Sequence, residues 1–462
     1  MLLKSRIDDL NKIIKKDNIL SSLEERYCYA EDSANLKEQN NIPDIVVFVE
    51  TIEDVQNVLK YANTHNIPVI SRGAGTNTVG SCVPTNGGIV LNFSKMNKIL
   101  EFNPSDMTMR VQPGVILDDI KKLAKSEKLF YPPDPSNFKV STIGGSIAQS
   151  SGGAKSFKYG TTKDYILSLK VVLPDGVLMK IGSGTIKDAV GYHLNQLIIG
   201  SEGTLAVVVE AQLKLIPLPE TSAVVTAYFN DFESATNAVN GIIKERIFPA
   251  TIDFMDKNSI NTVEKFYPSG LKTDKECMLL VEVDGFESSI KTQLLRVEKA
   301  LLESGAIDIT CVSDKEKIDA VWTARRASYG AAAKLAPDVV TDDVIVPRSA
   351  LSKMVKGCKE ICNRHNLQVC IVGHVGDGNI HPQIALNLEN DEEFKHLTEA
   401  KAEIYKLAYS LGGTISAEHG VGIEKMNYID KILDTASIEY MKRIKNVFDP
   451  NGILNPNKIL KM

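Results

Sequence analysis

Short apolar runs separated by glycine and proline dominate the chain from about residue 39 to residue 218. Examples are IPDIVVFV, GGIVLNF, TMRVQPG, SLKVVLP and TLAVVVEAQLKLIP, and a helical pattern covers residues 52–63. Runs of this kind are typical of buried strands, and the helical stretches between them favour an α+β fold with a sizeable sheet. The sequence Pro217-Leu218-Pro219 then predicts a domain boundary.

A strand–helix–strand pattern follows over residues 219–410. SAVVTAYF precedes a helical pattern at 232–244, and CMLLVEVDG precedes another at 288–304. This order predicts an antiparallel sheet with helices on one face. The last segment, 411–462, ends in DPNGILNPNK, whose glycine and prolines indicate an ordered loop held against the rest of the protein.

The N-terminal segment, residues 1–38, begins with a helical pattern. Leu3, Ile7, Leu10 and Ile14 recur at helical spacing, which predicts a helix packed on the body of the protein. A helix that lies on a membrane surface or binds a partner is the alternative. We expect neither a signal peptide nor a transmembrane segment, since no apolar run approaches the required length.

Composition is that of an ordinary globular protein, with 43% hydrophobic and 24% charged residues among 462. The net charge of -5 argues against nucleic acid as the main partner, because phosphate backbones attract basic surfaces.

Cysteines are odd in number and scattered, which predicts buried, reduced thiols in a soluble cytoplasmic protein. They are Cys28, Cys82, Cys277, Cys311, Cys358, Cys362 and Cys370.

Three glycine-rich segments carry the first candidate chemistry. Residues 72–77 (RGAGTN) follow an apolar run, and their glycines allow backbone N–H groups to converge on an anion. A simple structural turn is the alternative, because the segment lacks a P-loop or Rossmann pattern. Residues 131–160 add two Gly-Gly pairs, and 200–215 read GSEGTLAVVVEAQLKL. The set favours close backbone contact with a flat ligand. Short-range donors in it are Ser136, Ser141, Thr142 and Ser151.

These segments, in this order, resemble the flavin oxidoreductases typified by vanillyl-alcohol oxidase and para-cresol methylhydroxylase, over the whole chain. The resemblance implies a two-part FAD-binding domain, to which the C-terminal segment returns, and an antiparallel-sheet cap domain. FAD is expected to be noncovalent, because residues 73–81 contain no histidine. The implied cofactor-binding residues are Arg72, Gly73, Ala74, Gly75, Thr76, Asn77, Pro133, Asp134, Ser136, Gly144, Gly145, Ser151, Gly152, Glu202, Gly203, Val207 and Asn455.

Two further glycine-rich segments contain three of the seven histidines. GHVGDGNIHP contains His374 and His381, and SAEHGVG contains Glu418 and His419. Imidazole nitrogens and a carboxylate suit a divalent ion, and the glycines allow the turn to bring both imidazoles to one point. On spacing alone, structural histidines with satisfied hydrogen bonds are an equal alternative.

Both segments resemble the motifs of the FAD-linked 2-hydroxyacid dehydrogenases, the branch that includes the FAD-linked component of glycolate oxidase, D-lactate dehydrogenase and D-2-hydroxyglutarate dehydrogenase. The resemblance implies that His374, His381 and Glu418 bind zinc, iron or manganese. It also implies that His419 is the catalytic base, and that Asn379 touches the substrate or the metal.

The resemblance further assigns Arg325, in WTARRASYG, to the substrate carboxylate, which a guanidinium fork binds well. Arg326 is the competing choice, and a surface arginine is the structural alternative. Asp377 is expected to orient an imidazole. Relatives with a dicarboxylic substrate carry a lysine near 341–343, where this chain has Thr-Asp-Asp. Its absence favours a short monocarboxylate, although Lys334 is nearby.

The implied reaction is oxidation of a short D-2-hydroxy acid, D-lactate first and glycolate second, to the 2-oxo acid. The metal would polarise the hydroxyl, His419 would take its proton, and hydride would pass to FAD. D-2-hydroxyglutarate oxidation, direct reaction with oxygen, a non-catalytic FAD-binding subunit and a metal-dependent hydrolase are the alternatives. Without motifs for NAD or iron–sulfur clusters, we expect electron-transfer flavoprotein or a companion redox subunit as acceptor. A homodimer is left open.

Overall fold

The computed structural model describes residues 2–34, 36 and 41–461, with side chains from residue 5 onward. Its strands are β1 (Ile19–Leu20), β2 (Ile45–Phe48), β3 (Val69–Arg72), β4 (Ile89–Asn92), β5 (Ile99–Asn103), β6 (Thr108–Val111), β7 (Leu129–Phe130), β8 (Ile166–Val172), β9 (Leu178–Ile181), β10 (Val207–Lys214), β11 (Ile216–Pro217), β12 (Thr221–Phe229), β13 (Thr251–Asp256), β14 (Cys277–Gly285), β15 (Asp308–Val312), β16 (Asp338–Thr341), β17 (Val344–Ile345), β18 (Gln368–His374) and β19 (Asn379–Leu386).

The α-helices alternate with these strands. They are α1 (Leu2–Leu10), α2 (Leu23–Tyr27), α3 (Ile52–Thr64), α4 (Leu117–Ser126), α5 (Ile143–Gln149), α6 (Ser156–Tyr159), α7 (Leu194–Ile198), α8 (Phe232–Lys244), α9 (Lys257–Phe266), α10 (Glu287–Glu303), α11 (Lys315–Arg326), α12 (Ser328–Ala332), α13 (Leu351–Arg364), α14 (Asp391–Ser410), α15 (Ile429–Ile432) and α16 (Thr435–Phe448). Short 3₁₀ helices cover Lys16–Asn18, Thr162–Tyr165, Arg348–Ala350 and Met426–Tyr428.

The first half of the chain contains two main sheets. One has the order β1-β2-β4-β3, in which β4 pairs in parallel with both β2 and β3. The other is antiparallel, with the order β5-β6-β10-β8-β9. Helix α3 begins with a capping box between Thr51 and Asp54, which satisfies backbone donors that a helix start leaves free. Its apolar face, which includes Val58 and Leu59, belongs to the core beneath the first sheet.

Both terminal segments pack on this first half. Leu10 and Ile14 are buried in the same apolar cluster as α3 and β2, and the side chain of Leu3 lies outside the described residues. At the other end, Leu454 forms a parallel bridge with Val69 and is fully buried. Chain ends are usually poorly ordered unless they are held down, so these contacts explain the apolar spacing at the start and the proline-rich loop at the end.

The second half is built on an eight-stranded sheet with the order β15-β12-β14-β13-β18-β19-β16, and β17 pairs with β19. All its pairings are antiparallel. Alternate residues of each strand point to opposite faces, and on one face they form a large core with α8, α10, α13 and α14. This confirms the predicted antiparallel sheet and its helical layer. Helices α9 and α12 cover part of the other face, an addition that the sequence pattern did not predict.

The remainder of that second face is polar and meets the first half of the chain. Lys155 forms an ion pair with Glu282 at 2.8 Å. Next to it, Asp284 binds Lys158 and accepts a 2.7 Å hydrogen bond from the Tyr159 hydroxyl. The glycine-rich segment and the cap sheet are therefore joined by a charged interface whose acids are buried.

The cysteines only partly follow the expectation of buried thiols. All seven are free, and five are buried, but Cys28 and Cys311 are exposed. Cys28 ends the short surface helix α2, and Cys311 lies on the edge strand β15, so neither position has a second layer to cover it. Among the described helices, none combines the length and the apolar character that crossing a membrane requires.

Candidate functional site

An open cavity lies among the glycine-rich segments, with about 1000 Å³ of empty space that includes open solvent. Its walls come from the loop at 73–78, the loop at 135–137, helix α5 with its flanking residues, and residues 202–203. Glu418 and His419 close one part of the wall. A second cavity of about 490 Å³ shares several of these lining residues and extends toward Val207 and Val208. Several separate segments contribute to these walls, which suits an extended ligand with many contacts.

Close contact between the glycine segments creates these walls. A methyl group on Gly73 would lie 2.2 Å from Thr142 Oγ1, and one on Gly144 would lie 2.7 Å from the Pro113 ring. Any side chain at these positions would push the segments apart. The glycines therefore set the width of the cavity.

Several buried polar atoms on the cavity wall have no hydrogen-bond partner in the described part of the chain. Buried polar groups in proteins are nearly always paired, so a polar ligand is the natural partner for such a set. A dinucleotide, with its ribityl, pyrophosphate and amide groups, fits this requirement. The unpaired atoms are Thr78 Oγ1, Ser141 Oγ, Ser146 Oγ, Gln149 Oε1 and His419 Nδ1.

Most of the residues predicted to bind the cofactor line one of the two cavities. They are Arg72, Gly73, Ala74, Gly75, Thr76, Asn77, Ser136, Gly144, Gly145, Ser151, Glu202, Gly203 and Val207. The remaining four, Pro133, Asp134, Gly152 and Asn455, are outside the lining set. Lining residues that the sequence analysis missed are Ser71, Thr78, Ser81, Cys82, Pro135, Asn137, Ser146, Ala148 and Gln149. Several of them are small residues inside the glycine-rich segments, and this position in the sequence could have identified them as lining residues.

Asn455 and Arg72 support the cavity from behind. The Asn455 amide donates to the carbonyls of Ser81 and Glu202, at 2.8 and 2.6 Å. The Arg72 guanidinium donates to the Glu31 carbonyl at 2.7 Å and lies beneath Gly75, where a methyl group would meet it at 2.2 Å. Both side chains therefore hold the loops in place, through backbone contacts that the sequence did not predict.

The three predicted metal ligands converge at the Glu418 side of the cavity. Glu418 Oε1 lies 3.6 Å from His374 Nε2 and 3.4 Å from His381 Nε2. All three ligand atoms are within 4.8 Å of one another. A tetrahedral ion bound at about 2.1 Å separates its ligand atoms by about 3.4 Å, so the donor set fits a divalent cation.

The electrostatics of this cluster also favour a cation. Burial opposes protonation of His374, but Asp253 and Glu418 outweigh it and raise the pKa of this imidazole well above its usual value. Burial alone would raise the pKa of Glu418, but hydrogen bonds from His374 and His381 hold it well below its usual range. The surroundings thus favour net positive charge between these side chains.

Asp253 provides the support that was expected from Asp377. Its Oδ1 accepts from His374 Nδ1 at 2.6 Å, which leaves Nε2 of that ring directed at Glu418. Asp377 instead accepts from the Asn379 backbone at 3.3 Å. Burial raises the pKa of Asp377 to about 6, against the effect of His374. The prediction for Asp377 was therefore wrong in its contact. The role of Asp253 could have been suspected from the sequence, because an acid within a buried strand such as β13 needs a partner.

Arg325 and Arg326 lie in different environments. Arg325 is buried, with Nε 2.7 Å from Asp253 Oδ2 and Nη1 donating to Ser328 at 3.2 Å. Arg326 is exposed, and its charge acts on Asp134. Asp253 therefore links Arg325 to His374 in the predicted metal site, whereas Arg326 has no such link among the described contacts.

His419 follows Glu418 and stacks on His381, with ring centroids 5.1 Å apart and an angle of 16° between the planes. Burial lowers the pKa of His419, and the nearby Asp343 carboxylate only partly offsets this. The imidazole is therefore neutral near pH 7 and able to accept a proton. The amide nitrogen of Asn379 donates to Asp343 and to the Val344 carbonyl, and its contact with substrate or metal stays a prediction.

Comparisons with known proteins agree with this architecture. The family model described as FAD binding domain matches residues 43–182, and the one described as FAD linked oxidases, C-terminal domain, matches residues 218–459. The structure of p-cresol methylhydroxylase with substrate bound superimposes with a TM-score of 0.83 at 16% identity, covering 99% of this chain and 96% of that one. The predicted fold is thereby confirmed.

Sequence relatives extend over nearly the whole chain. Glycolate oxidase subunit GlcD of Bacillus subtilis (strain 168) is 38% identical, covering 99% of this chain and 97% of its own length. D-lactate dehydrogenase of Anaerostipes hadrus is 35% identical, covering 90% and 89%. These matches confirm the resemblance drawn from the glycine-rich and histidine-containing segments. The chain therefore belongs to the FAD-linked oxidases and is an FAD-linked oxidoreductase with an FAD-binding domain.

Proposed function

We propose that this protein is a metal-assisted, FAD-dependent dehydrogenase of short D-2-hydroxy acids, with D-lactate and glycolate as the candidate substrates. The observation that carries the proposal is the convergence of His374, His381 and Glu418 beside His419. Glu418 and His419 also line the cavity formed by the glycine segments. The names of the two relatives include both substrates, and the glycolate oxidase subunit has the higher identity, 38% against 35%.

The residues present fit both bound groups. FAD would supply a hydride acceptor, and a divalent ion at His374, His381 and Glu418 would supply a Lewis acid for the substrate hydroxyl. His419 is neutral and accepts the hydroxyl proton at its imidazole. Arg325 forms an ion pair with Asp253 and donates one N–H to Ser328, and its other guanidinium N–H groups hold the substrate carboxylate.

Three lysines of the first half of the chain already have acidic partners, which favours a substrate with a single carboxylate. Lys121, Lys155 and Lys158 are paired with Asp134, Glu282 and Asp284. A second substrate carboxylate at any of these lysines would compete with that acid. Asp342 and Asp343 do not bear on the choice, because both carboxylates are buried and bind groups of the protein.

An anaerobic titration of the purified protein tests the proposal. We expect a flavin spectrum that is bleached by D-lactate or glycolate, loses this response after metal chelation, and regains it when zinc or manganese is added. Bleaching by D-2-hydroxyglutarate alone would favour the dicarboxylate alternative. A flavin spectrum that no 2-hydroxy acid changes would favour a non-catalytic FAD-binding subunit, and a protein that binds no flavin would contradict the proposal.

The electron acceptor is proposed to be another protein, either electron-transfer flavoprotein or a companion redox subunit. One relative is itself named as a subunit of glycolate oxidase, which supports a partner in electron transfer. Rapid mixing of the substrate-reduced protein with each candidate acceptor, and with oxygen-saturated buffer, tests this. Reoxidation by oxygen at the rate of turnover would instead indicate an oxidase.

A further inference from the structure

The buried carboxylate of Asp343 is surrounded by hydrogen-bond donors from one short segment. Its Oδ2 accepts from the Ser416 hydroxyl at 2.9 Å and from the backbone N–H groups of Ala417, Glu418 and His419 at 2.8, 3.0 and 2.9 Å. Successive backbone N–H groups directed at one point form a typical anion cradle. Here the protein supplies the anion itself, and the cradle is the segment that carries Glu418 and His419.

The segment that carries His381 is bound to Asp343 and to its neighbour Asp342. Asp343 Oδ1 accepts from the side-chain amide of Asn379 at 2.8 Å. The Asp342 carbonyl lies 3.3 Å from His381 Nδ1. A carbonyl oxygen can only accept, so Nδ1 carries the proton and Nε2 of His381 is free to bind a cation. Asp342 and Asp343 together thus fix both the position and the tautomer of this ligand.

The buried Lys425 connects the backbone at Asp343 with the backbone just before the cradle. Lys425 Nζ donates to the carbonyls of Asp343 and Ile415 at 3.1 and 2.7 Å, and it lies 3.1 Å from the Asp342 carboxylate. Residue 415 directly precedes the cradle. The position of Asp343 is therefore itself held from a third element.

A role for Asp343 as a metal ligand is the competing interpretation, since Asp343, His381 and His419 also have ligand atoms within 4.8 Å of one another. The hydrogen bonds argue against it. Four donors occupy Oδ2, the Asn379 amide occupies Oδ1, and Oδ1 remains 3.8 Å from His381 Nδ1. A carboxylate saturated by donors of the protein has little capacity left for an ion.

We infer that Asp343 is a positioning residue that holds the segments of His381 and of Glu418–His419 in register, so that the metal site is assembled before any ion binds. The inference rests on the proposed metal site and deepens it. It predicts that removal of the Asp343 charge loosens the Ser416–His419 segment in the metal-free protein and weakens metal binding, although Asp343 does not contact the metal.

The test compares Asp343→Asn with Glu264→Gln in the full-length, FAD-loaded protein. Glu264 is the control, because its carboxylate also accepts from successive backbone N–H groups, those of residues 269–271 at 2.9, 3.3 and 3.0 Å, and these residues carry no metal ligand. Zinc affinity is measured by competition with a chromophoric chelator. Hydrogen–deuterium exchange of peptides covering 414–423 is measured without metal. Glu418→Gln provides the response of a direct ligand.

We expect Asp343→Asn to weaken zinc binding about 10–100-fold, to speed exchange in 414–423, and to leave the flavin content unchanged. Glu264→Gln should leave zinc affinity and exchange in 414–423 as in the wild type, and Glu418→Gln should weaken zinc binding more than Asp343→Asn does. Wild-type zinc affinity or wild-type exchange in Asp343→Asn would overturn the inference and leave the proposed function standing. A loss of zinc affinity in Asp343→Asn as large as that in Glu418→Gln, or an equal loss in Glu264→Gln, would also overturn it. A wild-type protein that binds no zinc overturns the metal role in the proposed function as well.

Discussion

At the residue scale, Arg325 and His374 share one acceptor, the buried carboxylate of Asp253. This arrangement separates Arg325 from its exposed neighbour Arg326 and suggests a direct comparison. Arg325→Lys retains the charge but loses the fork of N–H donors. We expect KM for the 2-hydroxy acid to rise about 10–100-fold, because a charged hydrogen bond is worth about 1.5–3 kcal/mol.

Arg326→Lys is the matched variant for this experiment, and we expect its KM to stay within twofold of the wild type. Steady-state kinetics with an artificial electron acceptor measure both. The opposite result, with a large change at Arg326 and none at Arg325, would move the substrate carboxylate to the exposed side chain and contradict the assignment.

His419 provides a second prediction at this scale. Its imidazole is buried, neutral and next to the ligand cluster, so its loss should remove the proton acceptor. We expect His419→Gln to lower kcat by about 10²–10⁴-fold, with flavin and metal contents unchanged. His365→Gln, at a partly buried histidine bound to Glu403 far from the cavity, is the control and should keep full activity. A kcat for His419→Gln within a few-fold of the wild type would exclude the role as base.

The sequence predicted these residues unequally, for a physical reason. His374 ends β18 and His381 is the third residue of β19, and one short turn joins the two strands, so local spacing was sufficient to bring them together. Asp253 lies 121 positions from His374 in the chain, and only the pairing of β13 with β18 brings the two together. The contacts of Asp343 with Ser416–His419 likewise depend on tertiary structure. Supporting carboxylates of this kind have no local motif.

At the scale of elements, the loop after β3 and the start of α5 depend on each other. Gly73→Ala would place a methyl group 2.2 Å from Thr142 Oγ1, the side chain that caps α5. We expect the loop and the helix to separate and the purified protein to lose most of its FAD, measured by absorbance per chain. Gly241→Ala, within α8 and 3.3 Å from the Ser304 hydroxyl, is the comparison and should retain FAD. Full occupancy in Gly73→Ala would contradict a role for this close contact.

The elements themselves were largely predictable, because their periodicities are local. The apolar alternation of β12 and β14 indicated an antiparallel sheet, and their pairing over nine positions confirms it. The cover that α9 and α12 provide on the second face was missed. Only a few apolar side chains, such as Met255 and Leu280, lie beneath it, whereas acids occupy the rest of that face. A mixed face of this kind has no clear period.

At the scale of the whole molecule, buried ion pairs join the glycine-rich segment to the cap sheet. Asp284 is almost fully buried and binds both Lys158 and Tyr159. We expect a double-mutant cycle of Lys158→Ala and Asp284→Ala, followed by urea unfolding, to give a coupling energy of about 1–3 kcal/mol. The exposed pair Arg443–Glu439 should give less than about 0.5 kcal/mol. Equal coupling in the two pairs would show that the interface adds nothing to stability.

The return of the C-terminal segment to the first half of the chain has a consequence for how the protein is made. Leu454 joins β3 next to Val69, and Asn455 holds the carbonyls of Ser81 and Glu202. A ribosome releases residue 455 long after it has released the rest of this wall. The loops that Asn455 holds therefore gain this support only after the cap domain, which lies between them and Asn455 in the chain, has been synthesised.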